Sequence, residues 1–392
     1  MTTPAGCAIA GVGHTAYSRG TERSTLELHL EASLRAIEDA GLRPSDIDGV
    51  MPSASARRSA EDFISNLGLR ELSYSATLHM GGASTVGAVQ TACLAIEAGL
   101  ATAVLVPAGR RGYSGERIST SQHVVEAIMA HHQEFEIPFG NIAAAQWFAQ
   151  AAQRHMHVYG TTSEQLGHVS VTMREHAQLN PGALMHGRPI TLGDHQESRM
   201  ISTPFRLLDC SLESDGAGAV VVTSADRAAD LRHPVVQVLG SGQSHGYPPT
   251  SLTQKPDMAV VSALGVAGDK AFDQARATAG VRRSDIDCFL VHEGFSWYVI
   301  AGLEALGFVK PGEGGPFVEE GHIKLGGRLP VNTSGGALSE GHVSGVNHLI
   351  EAVRQLRRDV PVARQVADCS TAVVATEGNF FDATVAVLGR AS

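Results

Sequence analysis

Apolar and polar positions along the chain alternate between two periods. Residues 6–13, GCAIAGVG, form a continuous apolar run closed by glycine and read as a buried strand. The next stretch, STLELHLEASLRAIEDAGL (24–42), changes to helical spacing, with Ser24 as cap and Gly41 as stop, and predicts an amphipathic helix. RPSDIDGVMPSAS (43–55) offers a turn and a strand. LSYSATL (72–78) is extended, and HMGGAST (79–85) is a small-residue turn that feeds a long helical run. Residues 140–160 and 162–180 again carry helical patterns, inside a segment of about 115–205 that reads as a helical insertion. LLDCSLESDGAGAVVVTS (207–224) ends in a clear apolar strand, and DATVAVLG (382–389) predicts the last one.

The pattern repeats. AGLRPSDIDGVMPSAS, beginning at Ala40, and AGVRRSDIDCFLVHEG, beginning at Ala279, share Ala-Gly and Ser-Asp-Ile-Asp in one register, each between a helix and a strand. SGGALSEGHVSGVNHLIEAVRQL (334–356) likewise echoes HMGGASTVGAVQTACLAIEAGL (79–100), with a double glycine, a turn and a long helix. The expectation is an internal duplication with α/β layering and buried sheets. One half would span 1–240, including the insertion, and the other 241–392.

Composition narrows the function classes. A chain of 392 residues with 43% apolar residues and 43 glycines fits two packed domains or one duplicated unit with many tight turns. A formal net charge of −10 argues against broad electrostatic binding of nucleic acid, but leaves room for a local basic pocket, for which Arg110-Arg111 is a candidate. The five cysteines form no CxxC pair, so neither a disulfide framework nor a zinc knuckle is expected, and a reducing cytoplasm is the default. There is no apolar run of membrane-spanning length and no signal-peptide pattern.

Four segments, LLDCSLESDGAGAVVVTS, VHEGFSWYVIAGLEALGF, VNTSGGALSEGHVSG and FFDATVAVLG, together resemble the thiolase superfamily, and most closely its sterol-carrier or lipid-transfer type. The resemblance runs from Ala8 to Gly389. It implies a thiolase fold: two βαβαβαββ halves in a five-layered α-β-α-β-α sandwich with an inserted loop domain. It also implies a homodimer and a coenzyme A thioester as substrate, with no cofactor or metal on this chain. Relatives of this branch are often joined to a small zinc-ribbon/OB-fold acyl-CoA-binding partner, which implies a heterotetramer.

The resemblance also shows what is missing. Where a thiolase carries its nucleophilic cysteine, this chain has Gly82, and the Gly-rich loop STAVVATEGNFFDATV (370–385) lacks the second cysteine; Cys369 lies upstream of the matching stretch. Both histidine elements remain. His342 stands in EGHVSG with Val343 in place of the family's proline, and His292 opens HEGF. In the branch that cleaves steroid side chains, tyrosines are thought to replace these groups, so retention of histidine is a departure. A histidine pair can polarise a thioester carbonyl, act as base and stabilise an enolate without a covalent step. The expected reaction is retro-aldol cleavage of a β-hydroxyacyl-CoA. The alternatives are an acyltransferase with a non-standard nucleophile and a non-catalytic acyl-CoA-binding subunit.

His292 and His342 are the candidate catalytic residues. Glu293, Ser84 and Tyr247 are candidate supporting groups, Ser84 being either a substitute nucleophile or a helix cap. Gly82, Ala83, Gly335 and Gly336 are candidates for oxyanion or substrate binding. Gly82 either clears space for a bulky β-carbon or serves turn geometry. Glu293 either joins the chemistry or orients a loop. His131-His132, His155 and His157 lack the partner ligands of a metal site, and Trp147 and Phe148 line an acyl tunnel or belong to ordinary core.

Overall fold

The computed structural model describes residues 6–52, 58–69, 71–115, 117, 132–246, 258–378 and 381–391. Its main sheet has nine strands in the order β3-β2-β4-β7-β1-β8-β11-β10-β9. These are β1 (Cys7–His14), β2 (Gly49–Val50), β3 (Tyr74–Ser75), β4 (Ala103–Arg111), β7 (Asp215–Ser224), β8 (Val236–His245), β9 (Cys288–Val291), β10 (Thr371–Gly378) and β11 (Asp382–Arg390). β5 (Met200–Ser202) and β6 (Phe205–Arg206) form a separate small ribbon.

The order repeats about the antiparallel contact of β1 with β8. Outward from β1 come β7, then β4, then β2 parallel to β4. Outward from β8 come β11, then β10, then β9 parallel to β10. β3 runs parallel to β2 at one edge, and Val331 bridges Phe289 in parallel at the other. The 240/241 division expected from sequence falls inside β8.

Helix α1 (Thr25–Asp39) opens with Ser24 as its expected cap, and Glu27 completes a capping box: Glu27 N donates to Ser24 Oγ, and Ser24 N donates to the Glu27 carboxylate at 2.6 Å. It joins α2 (Ala60–Leu67) over one face of the N-terminal strands, around Ala103, Leu105, Ala219 and Val221. α3 (Ser84–Glu97) packs with a helix from the second half, Val346–Arg357, in one apolar cluster that takes in strands of both halves of the sheet. The opposite face of the C-terminal strands is covered by the helices Ser262–Ala279 and Trp297–Ala305. These contacts give the five alternating layers expected of the fold.

Two repeated devices set this geometry. Asp48 accepts from the N–H groups of Thr102 and Ala103 at the start of β4, and Asp287 accepts from Ser370 and Thr371 at the start of β10. The shared Ser-Asp-Ile-Asp thus has a structural cause: its last carboxylate pins the next strand in each half. A second repeat went unread in the sequence. A Cβ at Gly11 or Gly13 would meet Ala36 backbone atoms at 2.1 and 2.4 Å; one at Gly240 or Gly242 would meet the carbonyls of Ala271 and Ala267 at 2.1 Å. Each Gly-X-Gly lets a helix lie directly on its strand.

The expected echo of residues 79–100 in 334–356 is out of register. Gly335-Gly336 open a separate one-turn helix (Gly336–Ser339), and the counterpart of α3 starts ten residues later, at Val346. The loop between them carries His342.

The insertion supplies α4 (Ala144–Tyr159), α5 (Ser163–Gln178) and α6 (Leu192–Glu197). It braces the second half. His155 bonds Glu304 at 2.9 Å, Arg174 Nε donates to Ser339 Oγ at 3.0 Å, and Asn180 donates to the Ser334 carbonyl at 3.1 Å. Trp147 is core, and Phe148 packs against Phe295 and Tyr298. Among the described residues no helix is long and apolar enough to cross a membrane.

Candidate active site

His292 follows the last residue of β9, and its N–H donates to the Ala375 carbonyl of β10 at 2.9 Å. A strand end at a sheet's carboxyl edge fixes the backbone while leaving the side chain free to face the neighbouring loops. His342 is held from both sides by Ser214: His342 N donates to Ser214 Oγ at 2.8 Å, and Ser214 Oγ donates to the His342 carbonyl at 3.1 Å. The two imidazoles meet with Nε2 to Nε2 at 3.0 Å, and Ser211 Oγ lies 3.0 Å from His342 Nδ1. Both histidines are more than nine-tenths buried.

Electrostatics keep the pair uncharged. Burial, reinforced by His348 and Arg110, pushes His292 down to about 3, although the Glu377 backbone carbonyl opposes the shift. Burial, then His292, Arg110 and His348, hold His342 well below the ordinary imidazole value. At neutral pH both rings are neutral, so the close contact needs one Nε2 to donate and the other to accept.

The glycine that stands where a thiolase keeps its cysteine has a definite neighbour. A Cβ at Gly82 would come within 2.6 Å of His292 Cε1, 2.7 Å of His292 Nδ1 and 2.5 Å of the Glu377 carbonyl oxygen. The expectation that Gly82 clears space for a substrate carbon is therefore corrected, since the imidazole of His292 fills that space. Turn geometry is not the reason either, because the positive φ in this turn belongs to Gly81.

Other expected groups are committed elsewhere. Ala83 N donates to the Met80 carbonyl at 3.0 Å, which removes it as an oxyanion donor. Ser84 Oγ accepts from Met80 N at 3.0 Å, closing the turn behind it rather than capping the helix ahead. Ser84 borders a small cleft with Met51, Leu78, Ala88 and Val106, and no histidine lines it. Glu293 is fully buried and orients the surrounding loops: it accepts from Asn332 Nδ2 at 2.6 Å and from Leu338 N at 3.2 Å, and bonds His348 Nε2 at 2.8 Å. Gly336 is required by that carboxylate, since a Cβ there would lie 2.0 Å from Glu293 Oε1; at Gly335 it would meet Ala177. Tyr247 and His131 lie outside the described residues, as does the side chain of His132. His155 bridges Thr161 and Glu304, and His157 is exposed.

Sequence reasoning missed Ser211, Asn332, His348 and the Glu377 carbonyl. Ser211 and Asn332 sit in segments that carried the resemblance, yet only the tertiary contact gives them a partner. Asn332 completes the end of β9 as a strand would, accepting from Val291 N and donating to Val291 O, each at 2.8 Å. None of the five free thiols contacts either histidine in the described structure. Cys93 and Cys288 are held well above the usual thiol range, chiefly by hydrogen bonds to a neighbouring cysteine, and burial pushes Cys210 up to about 12. No cluster of three or more His, Cys, Asp or Glu among the described residues has metal-holding geometry.

Comparison with known proteins agrees with this fold. Residues 242–390 match the thiolase C-terminal domain-like family. The chain is 39% identical to a steroid side-chain-cleaving aldolase of Thermomonospora curvata, over 90% of this chain and 91% of the relative. It is 38% identical to the 17-hydroxy-3-oxo-4-pregnene-20-carboxyl-CoA lyase of Mycobacterium tuberculosis, over 89% and 91%. Among solved structures, the Ltp2-ChsH2(DUF35) aldolase superposes with a TM-score of 0.90 at 38% identity, covering 99% of this chain and 98% of that one. With matches that span nine-tenths of its length, this chain belongs to the thiolase superfamily.

Proposed function

We propose that the protein cleaves the Cα–Cβ bond of a β-hydroxyacyl-CoA by retro-aldol chemistry, with no acyl-enzyme intermediate. The observation that carries this reading is the contact of two neutral, buried imidazoles at 3.0 Å, at a site where the nucleophile's position holds glycine. Substrate oxygens would replace the bond between the rings. One Nε2 takes the proton of the β-hydroxyl as the Cα–Cβ bond breaks. The electron pair of that bond moves into the thioester as an enolate, and the enolate oxygen accepts a hydrogen bond from the other ring. The imidazolium then returns its proton to Cα, leaving a carbonyl compound and a shortened acyl-CoA.

Support comes from both sides. The two relatives named above are, by name, a side-chain-cleaving aldolase and a CoA-thioester lyase. An acyl transfer through Ser84 would need a base, and none touches it. A purely binding role leaves the histidine pair unexplained. By the same likeness, the acyl group is of the steroid side-chain type, and degradation of such lipids is the setting. The structural relative's name joins two components, and we extend this to a thiolase-type homodimer completed by a small zinc-ribbon/OB-fold subunit that binds acyl-CoA, in the cytoplasm. Any zinc belongs to that subunit.

The test uses 17-hydroxy-3-oxo-4-pregnene-20-carboxyl-CoA as probe, with the protein purified alone and after co-expression with its partner. Appearance of the 17-ketone together with propionyl-CoA, with no free CoA consumed, supports the reading. CoA-dependent cleavage of a β-ketoacyl-CoA, or an acyl mass retained on the protein and lost in Ser84→Ala, replaces it with an acyltransferase.

A further inference from the structure

The histidine pair is not symmetric in its surroundings, and the asymmetry decides which ring does what. The contact between His292 Nε2 and His342 Nε2 holds one proton, so one ring donates and the other accepts. On the far side of His292 lies a backbone carbonyl. The same point in space, the Cβ position of Gly82, is 2.7 Å from His292 Nδ1 and 2.5 Å from the Glu377 oxygen. That nitrogen makes no hydrogen bond of full geometry, but the Glu377 backbone carbonyl acts on the ring as a hydrogen-bonding group that favours a proton there, and a carbonyl can only accept. A lone pair on Nδ1 would face a lone pair, whereas a proton there is attracted. His292 therefore carries its proton on Nδ1 and presents a lone pair at Nε2. His342 must then carry its proton on Nε2, which leaves its Nδ1 as an acceptor. Ser211 Oγ, 3.0 Å away, is placed to donate to it. Ser211 is itself fixed, its N–H donating to the Gly294 carbonyl at 2.9 Å, one residue beyond Glu293. The chain of donors thus runs in one direction, from Ser211 through His342 to His292 and toward Glu377.

We propose that His292 Nε2 is the base for the β-hydroxyl, that His342 Nε2–H is the donor to the thioester oxygen, and that Ser211 is a positioning residue that fixes this assignment by donating to His342 Nδ1. The proposal rests on the retro-aldol reading for its chemistry, but its statement about proton positions does not. It balances: the hydroxyl proton passes to His292, the bond pair becomes the enolate held by His342, and the proton on His292 returns to Cα. Ser211 gains and loses nothing; without its hydroxyl, His342 is free to move its proton to Nδ1 and present a lone pair where the enolate oxygen needs a donor.

Two experiments decide it. Neutron diffraction from the deuterated protein reads the proton positions directly. Deuterium on His342 Nε2 and His292 Nδ1, with His292 Nε2 bare, is expected; deuterium on His292 Nε2 with His342 Nε2 bare overturns the assignment. Kinetics with the same CoA thioester probe read the consequence. Ser211→Ala is expected to lose at least about tenfold in kcat, the scale of one neutral hydrogen bond, with KM little changed, and Ser211→Thr to recover most of it. Wild-type kcat in Ser211→Ala, or a threonine variant as impaired as the alanine one, overturns the positioning role. If the wild type cleaves no β-hydroxyacyl-CoA, the retro-aldol reading and the base role fail together, while the neutron map still decides whether Ser211 sets the tautomer.

Discussion

At the scale of single residues, the site is defined by what touches His292. The nearest atoms to the missing Gly82 side chain are the ring and the carbonyl it faces, so Gly82→Ala forces the ring out of its position. Overpacking of this kind costs about 1–3 kcal/mol, and activity falls further than stability because the moved ring is the reacting group. Thermal unfolding and kcat measured on the same preparation check this, with a small drop in Tm and a large drop in kcat expected. His292→Ala and His342→Ala each remove a group that moves or holds a proton, with expected losses of about 10²–10⁴ in kcat. Ser84→Ala stays within a few-fold of wild type, since its hydroxyl only closes a turn. The histidines and the absence of both cysteines were legible in the sequence, because motif spacing carries them. The reason for Gly82 was not, since it depends on a ring 210 residues away along the chain and on the carbonyl of a third segment.

At the scale of elements, the structure is built twice with the same parts. The repeated Asp that ends Ser-Asp-Ile-Asp and the repeated Gly-X-Gly both act between elements, the first at a strand start and the second under a helix. Asp287→Ala leaves the amides of Ser370 and Thr371 without their acceptor and is expected to destabilise the protein by about 1–3 kcal/mol. Asp48→Ala has a comparable effect at Thr102 and Ala103. Urea unfolding of the two variants measures this, and near-equal losses are expected from the symmetry. The Asp repeat was visible because four identical residues keep register. The Gly-X-Gly repeat is two residues in strands of otherwise different sequence, and only the approach of α1 and its counterpart shows why side chains are excluded there. The double-glycine echo misled for the opposite reason. Its likeness was local, whereas the second copy had lengthened the loop before its central helix to carry His342.

At the scale of the whole molecule, the fold keeps several histidines neutral inside it. His14, His29 and His176 are each pushed down to about 4, chiefly by burial, His292 is pushed to about 3, and His342 is held well below the ordinary imidazole value. The unfolded chain titrates these five near the ordinary value, so it binds more protons than the folded one once the pH drops below about 6.5. The stability they contribute is fully present above that value and is lost as the pH falls from about 6.5 toward 4. Unfolding free energies measured by urea across this range should decline steeply with acidification. Activity behaves differently: the reacting pair stays neutral in the native protein, so kcat/KM should show no acidic limb near 6.5 while the fold holds. The layered architecture followed from the sequence through strand–helix alternation and the resemblance. The insertion's attachment to the second half did not, because polar cross-links such as His155 to Glu304 have no sequence signature.

The central claim is that carbon–carbon cleavage proceeds here without a covalent intermediate, and quenched intact-mass spectrometry during turnover of the β-hydroxyacyl-CoA tests it most directly. The account predicts product formation while the protein mass stays that of the bare chain at every time point. An acyl mass that rises and decays at the rate of turnover would contradict it.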